Sequence, residues 1–265
     1  CIIFTVVFKL LLPYFFQKEI SFILSVVLGF FCQSVLLYRT TIKYDKCKNN
    51  FNEYKFLLLK YKRFPLFKMP QNIISMINMH LPIFLLGIQV SSNDVGYYVM
   101  ARTILLIPIT FFSQVVGDVL YPRFSEKVQR NENVFDLLYK STALLLLLAL
   151  IISMVIYFYG DYLFPLFLGS KWQDSGIYAS YLLLWFVINF INRPFVDLIS
   201  PLKLDWILFV NSLLTISIMI IFFYCSSLMK LDVKDILIIY SIISFVPQFI
   251  LMIYVFFKAY DLKRE

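Results

Sequence analysis

The chain has 265 residues, 61% hydrophobic and 19% aromatic, with a net charge of +8 and a mean hydropathy of +0.81. Hydropathy this high excludes a soluble globular domain, and lysines and arginines clustered between apolar runs mark membrane topology rather than a nucleic-acid face. Cys1, Cys32, Cys47 and Cys225 lie far apart without a CxxC pair, so neither a zinc site nor a disulfide framework is indicated.

The sequence begins at Cys1 inside an apolar run, with no basic segment or cleavage site before it. It is read as a piece whose N-terminal part lies outside it. A helix needs about 20 residues to cross a hydrocarbon core of roughly 30 Å. The candidate spans are approximately 1–16, 20–38, 72–90, 95–121, 138–159, 176–198, 204–226 and 235–257. All are expected to be helices, because lipid offers no partner to an unsatisfied backbone group and the alternating pattern of a membrane barrel is absent. The expected fold is therefore an all-α polytopic membrane protein of about eight transmembrane helices.

One set of alternate connections carries 17 lysines and arginines and the opposite set carries 4, with Lys9, Arg102 and Arg193 inside spans. By the positive-inside rule this places the loop at 39–71 and the C-terminal tail in the cytoplasm. Within that loop Phe51, Tyr54, Leu58 and Tyr61 recur at helical spacing between basic residues. Either an amphipathic helix on the inner leaflet or a plain cationic linker fits this pattern. The loop separates a first part, 1–38, from a second, 72–258, which is followed by a tail at 259–265.

Polar groups inside spans point to function, since an ionisable side chain at the bilayer centre costs about 2.5–3.5 kcal/mol on insertion scales. His80 stands near mid-span with Asn78 and Gln89, and Arg102 lies about two turns into the next helix. His80 and Arg102 are expected to face one cavity and to attract an anion. His80 is otherwise a neutral imidazole held by a neighbouring helix, and Arg102 either lines a cavity or snorkels outward, because it cannot shed its proton. Gln114 and Asp118 form one i, i+4 pair near a helix end and Arg193 and Asp197 another. Helix-end contacts at the inner mouth compete with an ion-coupling or gating role for Asp118, Arg193 and Asp197. Pro82, Pro108, Pro194 and Pro247 lie in or at the ends of spans, where they bend helices and free carbonyls.

The sequence resembles the Wzx-type polysaccharide flippases, within the exporter superfamily that also holds the multidrug and toxin extrusion transporters and the lipid II flippases. The resemblance runs from about Tyr61 to the C-terminus. It rests on "YKRFPLFKMPQNII", "HLPIFLLG", "VGYYVMARTILLIPITFFSQVVGDVLYPRFSE", "FLGSKWQDSG" and "ISPLKLDWILFVNSLL", in that order. Low glycine content and the missing early helices depart from the family pattern. The resemblance implies two six-helix lobes that alternately open a central cavity, with residues 1–38 as the last two helices of the first lobe and 72–258 as the whole second lobe. It implies a non-enzymatic flippase of the bacterial inner membrane that moves undecaprenyl-pyrophosphate-linked repeat units for O-antigen or capsule-type polysaccharide. Arg102, His80, Asn78 and Gln114 are then the substrate-contacting candidates. No cofactor or metal is implied beyond coupling to H+ or Na+, with Asp118 or His80 as the coupling group. Partners would be lipid-linked oligosaccharide, membrane lipid, and a polysaccharide polymerase with its chain-length regulator, with no nucleic acid. The rival readings are a drug exporter of the same superfamily and a membrane-embedded glycolipid polymerase, ligase or acyltransferase. The latter is disfavoured because Asp161 and Asp174 lack a clustered acid/base partner.

Overall fold

The computed structural model describes residues 18–41, 56, 66 and 68–261. The span expected at 1–16, Lys9 and most of the loop at 39–71, with its Phe51–Tyr61 pattern, lie outside them. Contacts divide the chain into Cys1–Lys60 and Tyr61–Glu265. In the first unit, helix α1 (Lys18–Thr41) covers the span expected at 20–38, and its strongly apolar part is Leu24–Val35.

The second unit is a helix bundle. It consists of α2 (Met69–Gln89), α3 (Ser92–Gln129), α4 (Phe135–Leu168), a 3-10 turn (Ser170–Trp172), α5 (Gln173–Tyr181), α6 (Leu183–Ile191), α7 (Arg193–Ile199), α8 (Asp205–Met229) and α9 (Val233–Asp261). No strand occurs among the described residues. Among the described residues five helices are long and apolar enough to cross a membrane, and the 3-10 turn and α5 (Ser170–Tyr181) with α6, bent by 61° at their junction, form a sixth crossing if taken as one span. The protein is an all-helical polytopic membrane protein.

Its packing reverses the soluble pattern. Phe84, Ile88, Phe167 and Tyr224 are among many large apolar side chains exposed at the bundle surface, where only lipid would offset the cost of wetting them. The core holds Tyr98, Leu105, Phe124, Leu138, Phe186, Phe190 and Phe223, all almost fully buried. At 38 residues, α3 is about 57 Å long, well beyond a roughly 30 Å core. Its surplus length is a charged tail in which Glu126 and Glu132 pair with Arg130 and Lys127. This end, which also holds the start of α2 and the α7–α8 junction, is called the basic end below. At the other end Ser91 caps α3 through the Asp94 N–H (3.3 Å), and the Tyr178 hydroxyl donates to the Asp94 carboxylate (2.7 Å).

The run expected as one helix at 176–198 is three. Pro194 sits in the first turn of α7, where its missing N–H and its ring interrupt a continuous helix. At the α5–α6 break there is neither proline nor glycine. There Leu182 N–H turns back to the Ala179 carbonyl (3.1 Å), and Trp185 N–H donates instead to the Ser241 hydroxyl of α9 (2.8 Å). A side chain from another helix thus replaces the backbone acceptor.

Helices α4 and α5 meet backbone to backbone. A Cβ on Gly176 would land on the Gly160 carbonyl, whereas one on Gly87 would meet nothing within 4 Å. Gly176→Leu is expected to lower membrane abundance and the thermal midpoint, by about 1–3 kcal/mol or more of overpacking. Gly87→Ala should match or exceed wild type in the same thermal assay, because alanine favours a helix by roughly 1 kcal/mol over glycine.

Candidate functional site

Helix α2 carries a polar stripe. Lys68, Gln71, Asn72, Ser75 and Asn78 follow one another at steps of one or three residues, which keeps them on one helical face. Ile73, Met76, Ile77, Phe84 and Ile88 are exposed. The stripe turns inward against α8, where Asn78 donates its amide to the Ser212 carbonyl (3.0 Å). Further along, Gln89 donates to the Phe223 carbonyl (2.6 Å) and accepts from Ser226 (2.8 Å). In lipid such inter-helix bonds contribute about 0.6 kcal/mol each on average and give the pair a defined register.

Two cavities lie in succession along this α2–α8 seam. The outer one, about 490 Å³ at the basic end, is lined by Gln71, Asn72, Asp118, Tyr121, Arg193 and Asp197 among others. Arg193 Nε contacts Asp197 Oδ2 at 3.0 Å, and Asp197 is buried. The Arg193 guanidinium lies against Gly117, where an added Cβ would come within 2.8 Å of Nε, so the glycine permits this approach. Lys68 reaches the Ser200 hydroxyl (3.4 Å), which donates to Asp205 (2.7 Å). Positive and negative groups are therefore mixed around the outer cavity.

The inner cavity, about 280 Å³, differs in charge. Ser75, Asn78, Arg102, Trp185, Asn189 and Gln248 are among its lining residues, and among the described residues no carboxylate is. Arg102 is only 6% exposed. Its guanidinium carbon stands 5.3 Å from the centre of the Trp185 ring, and its Nε is buried with no hydrogen-bond partner. No ion pair among the described residues includes it. Tyr240 is also part of the lining and is stacked edge-on with the buried Tyr98 at 6.3 Å. The Gln248 carbonyl oxygen accepts from Asn192 (2.8 Å) and Asn211 (3.4 Å). A guanidinium in this setting is stabilised by the indole face.

Asn78 and Arg102 thus line one cavity, and Asp118, Arg193 and Asp197 line the other. His80 and Arg102 are not brought together. Two residues turn a helix by about 200°, so with Asn78 facing inward His80 lies exposed, outside the linings of both cavities. Gln114 is likewise exposed and lines neither cavity. Trp185, Asn189, Ser212, Ser241 and Gln248 were not singled out from the sequence. For Asn189, Ser212, Ser241 and Gln248 the signal is a neutral polar side chain within an apolar run, as for Asn78, whereas Trp185 stands among apolar residues without a polar mark.

A family model described as polysaccharide biosynthesis protein matches residues 1–176, more than half of the chain. The chain belongs to the polysaccharide biosynthesis protein family. The match covers α1 to α4 and the opening of α5, so it includes the polar stripe and Arg102. Comparisons with curated proteins and with solved structures find no match.

Ser241 holds the α6 start that presents Trp185 to Arg102. Ser241→Ala should leave the Trp185 N–H unpartnered and lower stability by about 1–3 kcal/mol, read as a fall in the thermal midpoint. Ser241→Thr, which keeps the hydroxyl, should retain most of it.

Proposed function

We propose that this polysaccharide biosynthesis protein is a flippase that carries an undecaprenyl-pyrophosphate-linked oligosaccharide repeat unit across the bacterial inner membrane by alternating access. The observation that carries this reading is Arg102, a buried cation with no carboxylate partner among the described residues, at the inner end of a polar stripe in an otherwise apolar bundle. A pyrophosphate and its sugars cannot cross hydrocarbon unaided, so the protein must supply a wet, positively biased path while the prenyl tail stays in lipid. The stripe from Lys68 to Asn78 is such a path, and Arg102 draws the pyrophosphate toward it.

The outer cavity acts as the gate. Its Arg193–Asp197 pair is held in one arrangement by Gly117 and is free to re-pair with Asp118 when the bundle moves. Proline at positions 82, 108, 122, 165 and 247 within the long helices provides the bends that such rocking needs. The basic end faces the cytoplasm, in line with the charge distribution. A drug exporter for cations is disfavoured by the same cavity, because a cationic drug would meet an unneutralised arginine.

The test is complementation of a strain lacking the flippase with the full-length gene. Arg102→Ala should reduce surface polysaccharide by about 10- to 100-fold, the range expected from losing a charge-assisted contact of 1.5–3 kcal/mol. Normal polymer at normal protein abundance would remove Arg102 from the mechanism.

A further inference from the structure

We infer that the inner cavity is a binding site for a small inorganic anion, of chloride size, held against the Arg102 guanidinium. The inference is independent of which substrate is transported. An arginine cannot be deprotonated to escape burial, and here burial leaves only 6% of the residue exposed. Among the described residues no carboxylate lines the cavity and no ion pair reaches Arg102. The Trp185 face accounts for one side of the guanidinium at 5.3 Å, while Nε is buried without a partner. Among the described residues the positive charge therefore has no counter-charge.

The remaining lining supplies hydrogen-bond donors. Ser75 accepts from Gln71 (3.0 Å), which leaves its own O–H to donate. Gln248 uses its carbonyl oxygen for Asn192 and Asn211, which leaves both of its N–H groups for the cavity. Asn189 spends one N–H on the Trp185 carbonyl (2.7 Å) and has a second. One fixed cation ringed by neutral donors is the chemistry of a halide site. A volume near 280 Å³ holds an ion with several waters, since a single water needs only about 10–15 Å³ of such space. The same arrangement repels a sodium ion, so any coupling cation belongs with the carboxylates of the outer cavity.

The test uses the full-length protein in detergent or nanodiscs, with chloride exchanged for gluconate at constant ionic strength so that screening is unchanged. Chloride should raise the thermal midpoint saturably, by about 2–4 °C. Arg102→Gln should abolish the effect and Arg102→Lys should retain part of it. If Arg102→Gln does not fold, crystals of the wild-type protein grown in bromide decide the matter, through an anomalous scattering peak beside the Arg102 guanidinium. Equal midpoints in chloride and gluconate, an undiminished chloride effect in Arg102→Gln, dependence on the cation instead of the anion, or bromide absent from the cavity would each overturn the inference. None of these readouts measures flipping, so they stand or fall apart from the transport reading.

Discussion

A guanidinium that cannot lose its proton has to be accommodated wherever the chain carries it, and in this bundle that place is the interior. The charge on Arg102 requires a wet cavity, and the cavity requires helices that do not close around it. Several local departures from regular structure serve that need. The break at Leu182 sets Trp185 under the guanidinium, and Ser241 satisfies the N–H that the break releases. The α2 stripe brings Ser75 and Asn78 to the opposite wall, where Asn78 is tied to the Ser212 carbonyl. Without the arginine the same helices would gain by packing dry.

The two cavities divide the electrostatic work. Around the outer one, Arg193 is matched by Asp197, with Asp118 close by, so that charges can exchange partners at small net cost. Around the inner one, among the described residues, one cation faces neutral groups, which gives the site a positive sign. A sequence of this kind, a neutral mouth followed by a positive interior, favours entry of anions over cations without holding them at the mouth. That ordering suits the export of a phosphate-bearing glycolipid better than the capture of a cationic drug.

Much of the fold was legible in the sequence because lipid admits so few backbone solutions. Runs of apolar residues at 72–90, 95–121, 138–159, 204–226 and 235–257 became α2, α3, α4, α8 and α9, most of them extended by polar turns at their ends. The broken run at 176–198 was legible only in half. Pro194 announces the α6–α7 break, but the bend at Leu182 depends on a hydroxyl 56 residues away in α9, which no local pattern records. The site shows the same division. Arg102 stood out as a charge in a span, whereas the facing of His80 depended on which side of α2 packs on α8. The stripe from Lys68 to Asn78 contained that answer, since it fixes the inward face and leaves His80 on the other.

The central claim is that a polar path leads to a positive interior at Arg102. It is tested most directly by introducing Thr215→Cys on the inner cavity wall of the full-length protein, with the native cysteines replaced. Reaction rates are then compared for membrane-impermeant thiosulfonates of negative and of positive charge. The account predicts that the negative reagent reacts faster and that its advantage disappears when Arg102→Gln is added. A faster positive reagent, or no reaction with either, would contradict it.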